Sequence, residues 1–308
     1  MKKIKNLPVS LQAKLLAYAK ANGDDYNRTL VRYGIERFLF RLSQHPDRDR
    51  FVLKGAMLFI TWPEGAQRPT GDLDVLAYGP PEVASMSTFI KNICSIPGLE
   101  SEDGLMFALD KIVVEAVRED AGYQGLRVEV PMTLGTTRIN LQIDVGFGDA
   151  VYPPPKRISF PCLLPADMPA PQVLAYPPET VIAEKFEAMV RFGEADSRLK
   201  DFNDIWAIMK TFNFEMATLV EAVLGTFNRR GTVLPNSVPF ALTAEFGQLP
   251  EKRRMWNAFL GRNPPAMPPP PLDDLLTELR GFFGPMLAAA ARSDNARGQW
   301  DPIRGWVV

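Results

Sequence analysis

Acidic residues near position 72 and a strand-like segment at 139–145 carry the clearest potential for chemistry. The chain reads Arg-Pro-Thr-Gly-Asp-Leu-Asp from Arg68 to Asp74, so Asp72 and Asp74 would project from one face of a β-strand. Residues 139–145 alternate apolar and polar side chains, which predicts a second strand with Asp144 on its polar face. In one sheet, these three acids would repel one another unless a cation lay among them. Because carboxylate oxygens suit Mg²⁺, the pattern predicts a metal site for two-metal phosphoryl transfer.

Residues ahead of the acidic pair are candidates for nucleotide binding. Lys54 and Gly55 follow a predicted strand and precede a predicted helix, where glycine lets the backbone approach a phosphate and the helix N-terminus offers N–H groups. The alternative is that Gly55 serves only the turn. Thr70 could contact a triphosphate through its hydroxyl. Arg68 could pair with phosphate or with a neighbouring acid.

A lysine on an apolar helix face is the second informative feature. In the helix predicted over 179–192, Lys185 falls within the apolar stripe, so it must neutralise, extend its amine to solvent or find an anion such as triphosphate. In the next predicted helix, Asp201 shares a face with apolar residues. This position suits either a buried partner for Lys185 or a base beside an acceptor hydroxyl. Asp204 is interpreted as a cap or support of that helix.

The order of predicted elements places these residues in an α+β protein. The first fifty residues form two amphipathic helical stripes, which predict a helical hairpin whose first helix follows a Ser10 cap. Residues 51–151 have mixed α/β texture with three alternating segments typical of an antiparallel meander. A proline-rich stretch at 152–178 predicts an extended crossing, and helices follow to the end, with a polyproline spacer at 264–271. We expect two domains, 1–170 and 171–308.

Composition excludes several classes of protein. The net charge is −1, so no global basic signal points to nucleic acid, although a local basic cleft is compatible with it. The single histidine, His45, argues against a Ser-His-Asp triad and most histidine metal sites. Two isolated cysteines and the absence of a signal-peptide pattern predict a cytoplasmic protein. No stretch approaches the roughly 18 apolar residues of a membrane span, so no membrane partner is expected.

Four short segments, in this order, resemble the AbiEii-type toxins of type IV toxin–antitoxin systems, within the nucleotidyltransferase superfamily of the DNA polymerase β fold. The resemblance covers about residues 50 to 210. It departs from the wider superfamily at Ala56, where that superfamily has a serine. The matching segments are Phe51-Val52-Leu53-Lys54-Gly55, Arg68-Pro69-Thr70-Gly71-Asp72-Leu73-Asp74, Ala183-Glu184-Lys185 and Lys200-Asp201-Phe202-Asn203-Asp204-Ile205.

The resemblance implies a polymerase β-like mixed sheet with flanking helices and a helical C-terminal lobe. It also implies that Asp72 and Asp74 bind Mg²⁺, that Lys185 holds nucleotide phosphate and that Asp201 acts in catalysis. The third acid, Asp144, matches the wider superfamily. Some members transfer a nucleotide from an NTP to tRNA acceptor ends, which blocks translation, and a neighbouring antitoxin is the expected partner.

Two alternatives remain at this stage. The first is a nucleotidyltransferase that modifies a protein or small-molecule hydroxyl, which the near-neutral charge permits. The second is a non-catalytic module that binds a nucleotide or a partner on the same fold; the intact acids argue against it, whereas Ala56 is compatible with it.

Overall fold

The chain divides into two compact units. The computed structural model describes residues 6–62, 70–97, 99–118, 124–262, 264–292 and 297–307. Unit 1 comprises 1–61, 70–148 and 157–175, and unit 2 comprises 62–69, 149–156 and 176–308. Unit 1 ends at residue 175, close to the boundary predicted at residue 170. Two short segments before that boundary, 62–69 and 149–156, belong to unit 2. The domain boundary itself stays a prediction.

Unit 1 begins with the predicted helical hairpin and continues into a sheet. Its helices are α1 (Leu7–Asn22), α2 (Tyr26–Gln44), α3 (Val83–Cys94) and the short α4 (Glu100–Asp103). Its strands are β1 (Phe51–Lys54), β2 (Leu73–Ala77), β3 (Leu105–Phe107), β4 (Val113–Arg118), β5 (Gln124–Leu134), β6 (Thr137–Phe147), β7 (Lys156–Ser159) and β8 (Gln172–Ala175). The first helix starts at Leu7 rather than after Ser10, because the Asn6 side chain accepts a hydrogen bond from the Val9 N–H.

The sheet is mixed, as predicted. Its eight strands follow the order β3-β5-β6-β2-β1-β8-β7, with β4 also paired to β5. β2 runs parallel to β6 and β1 parallel to β8, whereas β1–β2 and β5–β6 are antiparallel. The long β5–β6 hairpin turns through Gly135, whose positive φ of 60° suits glycine.

The two faces of the central strands differ in chemistry. On β6, Ile139, Leu141, Ile143 and Val145 are buried, as the period-two pattern predicts. Helix α2 packs on this apolar face, and the position of Gly34 there lets Met132 and Ile139 approach its backbone. The alternate positions carry polar side chains on the opposite face, so the sheet buries one side and presents a polar side.

Unit 2 is mainly helical and holds a small sheet. Its helices are α5 (Pro178–Phe192), α6 (Leu199–Thr211), α7 (Met216–Arg230), α8 (Ala244–Gln248), α9 (Pro250–Arg262) and α10 (Leu272–Arg292). Strands β9 (Phe214–Glu215), β10 (Gln299–Asp301) and β11 (Gly305–Val307) form a three-stranded sheet that the sequence did not reveal. The predicted C-terminal helices and the α+β class are confirmed. Among the described residues, no helix has the length and apolar content that crossing a membrane requires.

Candidate functional site

An in-register row of charged residues crosses the central strands of unit 1. Asp74 on β2 lies beside Asp144 on the parallel strand β6, and Lys54 on β1 lies opposite Asp74. Residues paired in register project from the same face of a sheet, so the two carboxylates are neighbours on its polar side. The predicted juxtaposition of Asp74 and Asp144 is therefore present.

Arg127 on β5 extends this row and forms a bidentate hydrogen-bonded ion pair with Asp144. Its Nε lies 2.8 Å from Asp144 Oδ1 and its Nη2 lies 3.2 Å from Oδ2. Gln142 Nε2 also donates to Oδ2, at 3.0 Å. The hydrogen bonds from Arg127 to Asp144, with the negative charge of Asp144, raise the pKa of the Arg127 guanidinium above its ordinary value. Sequence reasoning missed Arg127, because only the hairpin register brings it opposite Asp144.

Asp72 and Asp74 fit a hard divalent cation in part. Asp72 lies one residue before β2 and is exposed, and Asp74 is half-buried. Mg²⁺ is commonly held by one or two carboxylates together with substrate phosphates and water. Asp72 and Asp74 can supply the two carboxylates. Both oxygens of Asp144, however, already accept hydrogen bonds. In the part of the chain that the structure describes, no group of three or more His, Cys, Asp or Glu side chains could hold a metal ion.

The other predicted nucleotide-binding residues of unit 1 that the structure describes lie at the end of β1 and just before β2. Lys54 ends β1, and Thr70 is half-buried in the coil before β2. Arg68 lies outside the described residues. The helix predicted after Gly55 is a 3₁₀ helix over Ala56–Thr61, and its first four residues are buried. Their roles toward a nucleotide stay predictions.

Gly55 is required where it stands, because the Asp74 carboxylate lies against its Cα. Its φ is +69°, and a Cβ at this position would lie 2.0 Å from Asp74 Oδ2. Any other side chain would therefore displace a carboxylate of the acidic pair. This contact gives a physical reason for the glycine beyond the need for a turn.

Replacing Gly55 with alanine is expected to lower the free energy of unfolding by about 3 kcal/mol, through left-handed backbone strain and the clash with Asp74. Gly23→Ala is the matched control, since Gly23 has φ +67° and no heavy atom of the described residues lies within 4 Å of its added Cβ. That control should cost only about 1 kcal/mol. Urea unfolding of both variants measures the difference, and equal losses would show that Asp74 makes no close contact with Gly55.

In unit 2, Lys185 lies in a buried ion cluster with two acids of α6. Its Nζ donates to Asp201 Oδ1 at 2.6 Å and to Asp204 Oδ2 at 2.8 Å. The Lys185 side chain is 13% exposed, Asp201 1% and Asp204 0%. The inward lysine thus finds its anions within the protein, and Asp201 is its buried partner, one of the two roles predicted for it. Asp204 shares this lysine, so it supports the pairing of α5 with α6.

Electrostatics keep Asp201 ionised. Burial acts to raise the pKa of Asp201, but the positive charges of Lys185 and Arg198 outweigh it and leave that pKa below its ordinary value. Arg198 Nε lies 2.7 Å from Asp201 Oδ2. A carboxylate with a lowered pKa is a weak proton acceptor, so this arrangement favours an electrostatic role over that of a general base.

Unit 2 contains a second buried charge network, which was not predicted from the sequence. Arg230 Nη1 donates to Glu187 Oε2 at 2.8 Å, and Thr232 Oγ1 donates to Glu187 Oε1 at 2.6 Å. The Tyr176 hydroxyl donates to Asp149 Oδ2 at 3.1 Å, and burial raises the pKa of Tyr176 well above its ordinary value. A signal was present in Glu187, an acid within the buried part of α5. The network ties α5 to the end of α7.

Comparison with known proteins places these residues in a family. The family model described as nucleotidyl transferase AbiEii toxin of type IV toxin–antitoxin systems matches residues 37–278. The chain is similar to MenT4, nucleotidyltransferase toxin Rv2826c from Mycobacterium tuberculosis H37Rv, with 19% identity, TM-score 0.48 and 77% of each chain covered. It is also similar to JHP933 from Helicobacter pylori, with 14% identity, TM-score 0.39, 79% of this chain and 87% of that chain covered. No curated protein matches the chain.

The family match extends over most of the chain and includes both sets of candidate residues. Asp72 and Asp74 in unit 1, and Lys185 and Asp201 in unit 2, all lie within residues 37–278. The resemblance inferred from four short segments is therefore confirmed. This chain belongs to the AbiEii family of nucleotidyltransferase toxins from type IV toxin–antitoxin systems, and it is a nucleotidyltransferase.

Proposed function

We propose that this enzyme transfers a nucleotide from an NTP to an RNA acceptor, the 3′ end of tRNA, in a Mg²⁺-dependent reaction that blocks translation. The observation that carries the proposal is the acidic pair of Asp74, which lies on the polar face of the sheet against Gly55, and Asp72, which lies one residue before β2. The choice of RNA rests on the family resemblance. A cognate antitoxin encoded nearby is the proposed partner.

In the proposed reaction, an acceptor hydroxyl attacks the α-phosphorus of the NTP and pyrophosphate leaves, while the hydroxyl proton passes to solvent. When bound, Mg²⁺ would polarise the phosphate oxygens and stabilise the charge that develops on them. Asp72 and Asp74 would hold that ion through their carboxylate oxygens. These residues supply geometry and charge, which is most of what phosphoryl transfer requires of a protein.

On the basis of the family resemblance, we propose that Lys185, although it pairs with two acids of the protein, also neutralises nucleotide phosphate, and that Asp201 is a positioning residue for Lys185. Asp201 is 1% exposed, and its Oδ1 accepts from Lys185 while its Oδ2 lies beside Arg198. A buried carboxylate with one oxygen bound by the lysine and the other near a second positive charge is suited to fixing an ammonium in place. Asp204, which also accepts from Lys185, would contribute to the same orientation.

The test combines the purified protein with Mg²⁺, total tRNA and each α-labelled NTP in turn. Label on RNA would support the proposal and identify the nucleotide. Label on protein, or on a small molecule added as acceptor, would overturn the RNA acceptor and keep the transfer chemistry. NTP binding without transfer to anything would overturn the proposed reaction in favour of a binding module. Growth with and without the neighbouring gene product tests the proposed antitoxin.

A further inference from the structure

Arg127 and Asp144 form an ion pair, and a site made of acidic metal ligands alone gives Arg127 no role. Sequence reasoning makes Asp144 a metal ligand, but its Oδ1 and Oδ2 both accept from the Arg127 fork. Gln142 adds a third hydrogen bond to Oδ2. Ligation of a cation by Asp144 would compete with these three hydrogen bonds for the lone pairs of the carboxylate and would place the cation beside a guanidinium, which carries the same sign of charge.

The Arg127 guanidinium remains accessible to solvent although it is hydrogen-bonded to Asp144. Its side chain is 45% exposed, whereas that of Asp144 is 27% exposed. Nη1 makes no hydrogen bond among the described residues, so an edge of the guanidinium is available for a further acceptor. Bidentate pairing restrains the planar group, which lowers the entropy lost when that edge binds a second oxyanion.

The position of Arg127 relates it to the acidic pair. It lies in register with Asp144, which lies in register with Asp74, so the three share the polar face of neighbouring strands. The negative charge of Asp72 is close enough to contribute to the raised pKa of Arg127. A phosphate held by a cation on Asp72 and Asp74 would thus have a guanidinium on the same face.

We propose that Arg127, oriented by Asp144, binds a phosphate oxyanion of the substrate, and that Asp144 is the anchor of Arg127 rather than a ligand of the metal. The inference rests on the proposed function, because it assigns one more group to the same substrate. It changes the composition of the site from three acidic ligands to two acids and one arginine. Arginine is suited to this task because its fork matches phosphate geometry.

A simple surface ion pair is the competing explanation. Exposed pairs contribute little to stability and need no ligand. If Arg127 and Asp144 form only such a pair, neither residue affects phosphate or metal binding beyond a general charge effect. The two explanations therefore differ in binding measurements that do not require turnover.

The experiment measures binding of Mn²⁺ alone and of inorganic tripolyphosphate with Mg²⁺ by calorimetry. The variants are Arg127→Gln, Arg127→Lys, Asp144→Asn and the double variant Arg127→Gln/Asp144→Asn. Arg138→Gln is the matched control, because Arg138 is an exposed arginine on the polar face of β6, about 20 Å along the strand from Asp144. Thermal unfolding midpoints confirm that each variant is folded. If Arg127→Gln is not folded, Arg127→Lys tests the guanidinium in its place, and if Asp144→Asn is not folded, Asp144→Ser tests the carboxylate.

We expect Arg127→Gln to weaken tripolyphosphate binding about tenfold and Arg127→Lys to weaken it less, because lysine keeps the charge and loses the fork. Asp144→Asn should weaken tripolyphosphate binding through the loss of orientation and leave Mn²⁺ affinity within about twofold. The double variant should be no weaker than Arg127→Gln, since the two residues act as one unit. A parallel titration with a short RNA identifies the phosphate source: if only RNA binding depends on Arg127, the oxyanion belongs to the acceptor.

Three results would overturn the inference. A tenfold loss of Mn²⁺ affinity in Asp144→Asn would make Asp144 a metal ligand. Equal effects of Arg127→Gln and Arg138→Gln on both tripolyphosphate and RNA would reduce Arg127 to a general charge. Wild-type protein that binds neither Mn²⁺ nor tripolyphosphate would reject the proposed function and the inference together, whereas the first two results leave the proposed function intact.

Discussion

Replacing Asp72 with alanine is expected to reduce nucleotide transfer at least about a hundredfold while leaving the fold unchanged. The loss follows from the proposed role, because a carboxylate that holds the cation contributes charge and geometry at the reacting phosphate. The stability is preserved because Asp72 is exposed and precedes β2, so its removal opens no cavity. Initial rates of label transfer to tRNA, together with urea unfolding, measure both quantities.

Asp110→Ala is the control for this prediction. Asp110 is an exposed acid of the same unit outside the charged row, and its removal raises the net charge by one unit, as the removal of Asp72 does. The control should retain the wild-type rate. Asp74 is less suitable as a first test, because its contact with Gly55 makes loss of structure and loss of chemistry hard to separate. Transfer by Asp72→Ala at more than about a tenth of the wild-type rate would refute its role as a metal ligand.

Replacing Lys185 with methionine is expected to lower the free energy of unfolding by about 4 kcal/mol at pH 7. Methionine fills a similar volume but leaves the carboxylates of Asp201 and Asp204 buried without the ammonium that pairs with both. Breaking a buried ion cluster by removing one partner is far more costly than replacing all of its members. Urea unfolding of the variant and the wild type measures the loss.

The loss in Lys185→Met should depend on pH in a defined direction. In the wild type, the pKa of Asp201 is lowered on folding, so its stabilising contribution is present above the unfolded pKa of about 3.9 and is lost as the pH falls through the folded pKa. In the variant, burial without Lys185 should raise the pKa of Asp201 above the unfolded value. The folded variant then takes up protons as the pH falls, so its deficit should shrink between pH 7 and about pH 4.

Two further variants separate the buried charge from other effects of Lys185. Lys185→Met/Asp201→Asn/Asp204→Asn removes all three charges and should recover most of the lost stability. Lys210→Met is the matched single control, because Lys210 also pairs across helices, with Glu278, but is 32% exposed; it should cost less than about 1 kcal/mol. A deficit in Lys185→Met that is the same at pH 5 and pH 7 would mean that unpaired carboxylates are not its cause.

Local patterns of the sequence predicted a large part of the fold and of the site. The period-two alternation at 139–145 predicted which side chains of β6 are buried, because successive residues of a strand must face opposite sides. The apolar stripe of α5 likewise predicted that Lys185 points inward, and the same reasoning gave burial beside Lys185 as one of two possible roles for Asp201. These features depend on the residues of one strand or one helix, so they can be inferred without knowing the neighbours.

Pairings between distant segments could not be inferred in this way. Arg127 received no role because its importance arises only when the β5–β6 register places it opposite Asp144. The sheet formed by β9, β10 and β11 was missed because it joins residues 214–215 to residues near the C-terminus. Such pairing is decided by packing and strand register, which local propensity does not encode.

By itself, the sequence determined which candidate chemical groups each unit carries, their order along the chain and the family to which the chain belongs. It determined the acidic spacing of Asp72 and Asp74 and the inward face that carries Lys185. Only the tertiary structure decided which charges meet: Asp144 with Arg127, Lys185 with both Asp201 and Asp204, and Asp74 with the backbone of Gly55. The physical reason is that the charge state and accessibility of a side chain depend on partners brought together by folding, and those partners are distant in the chain.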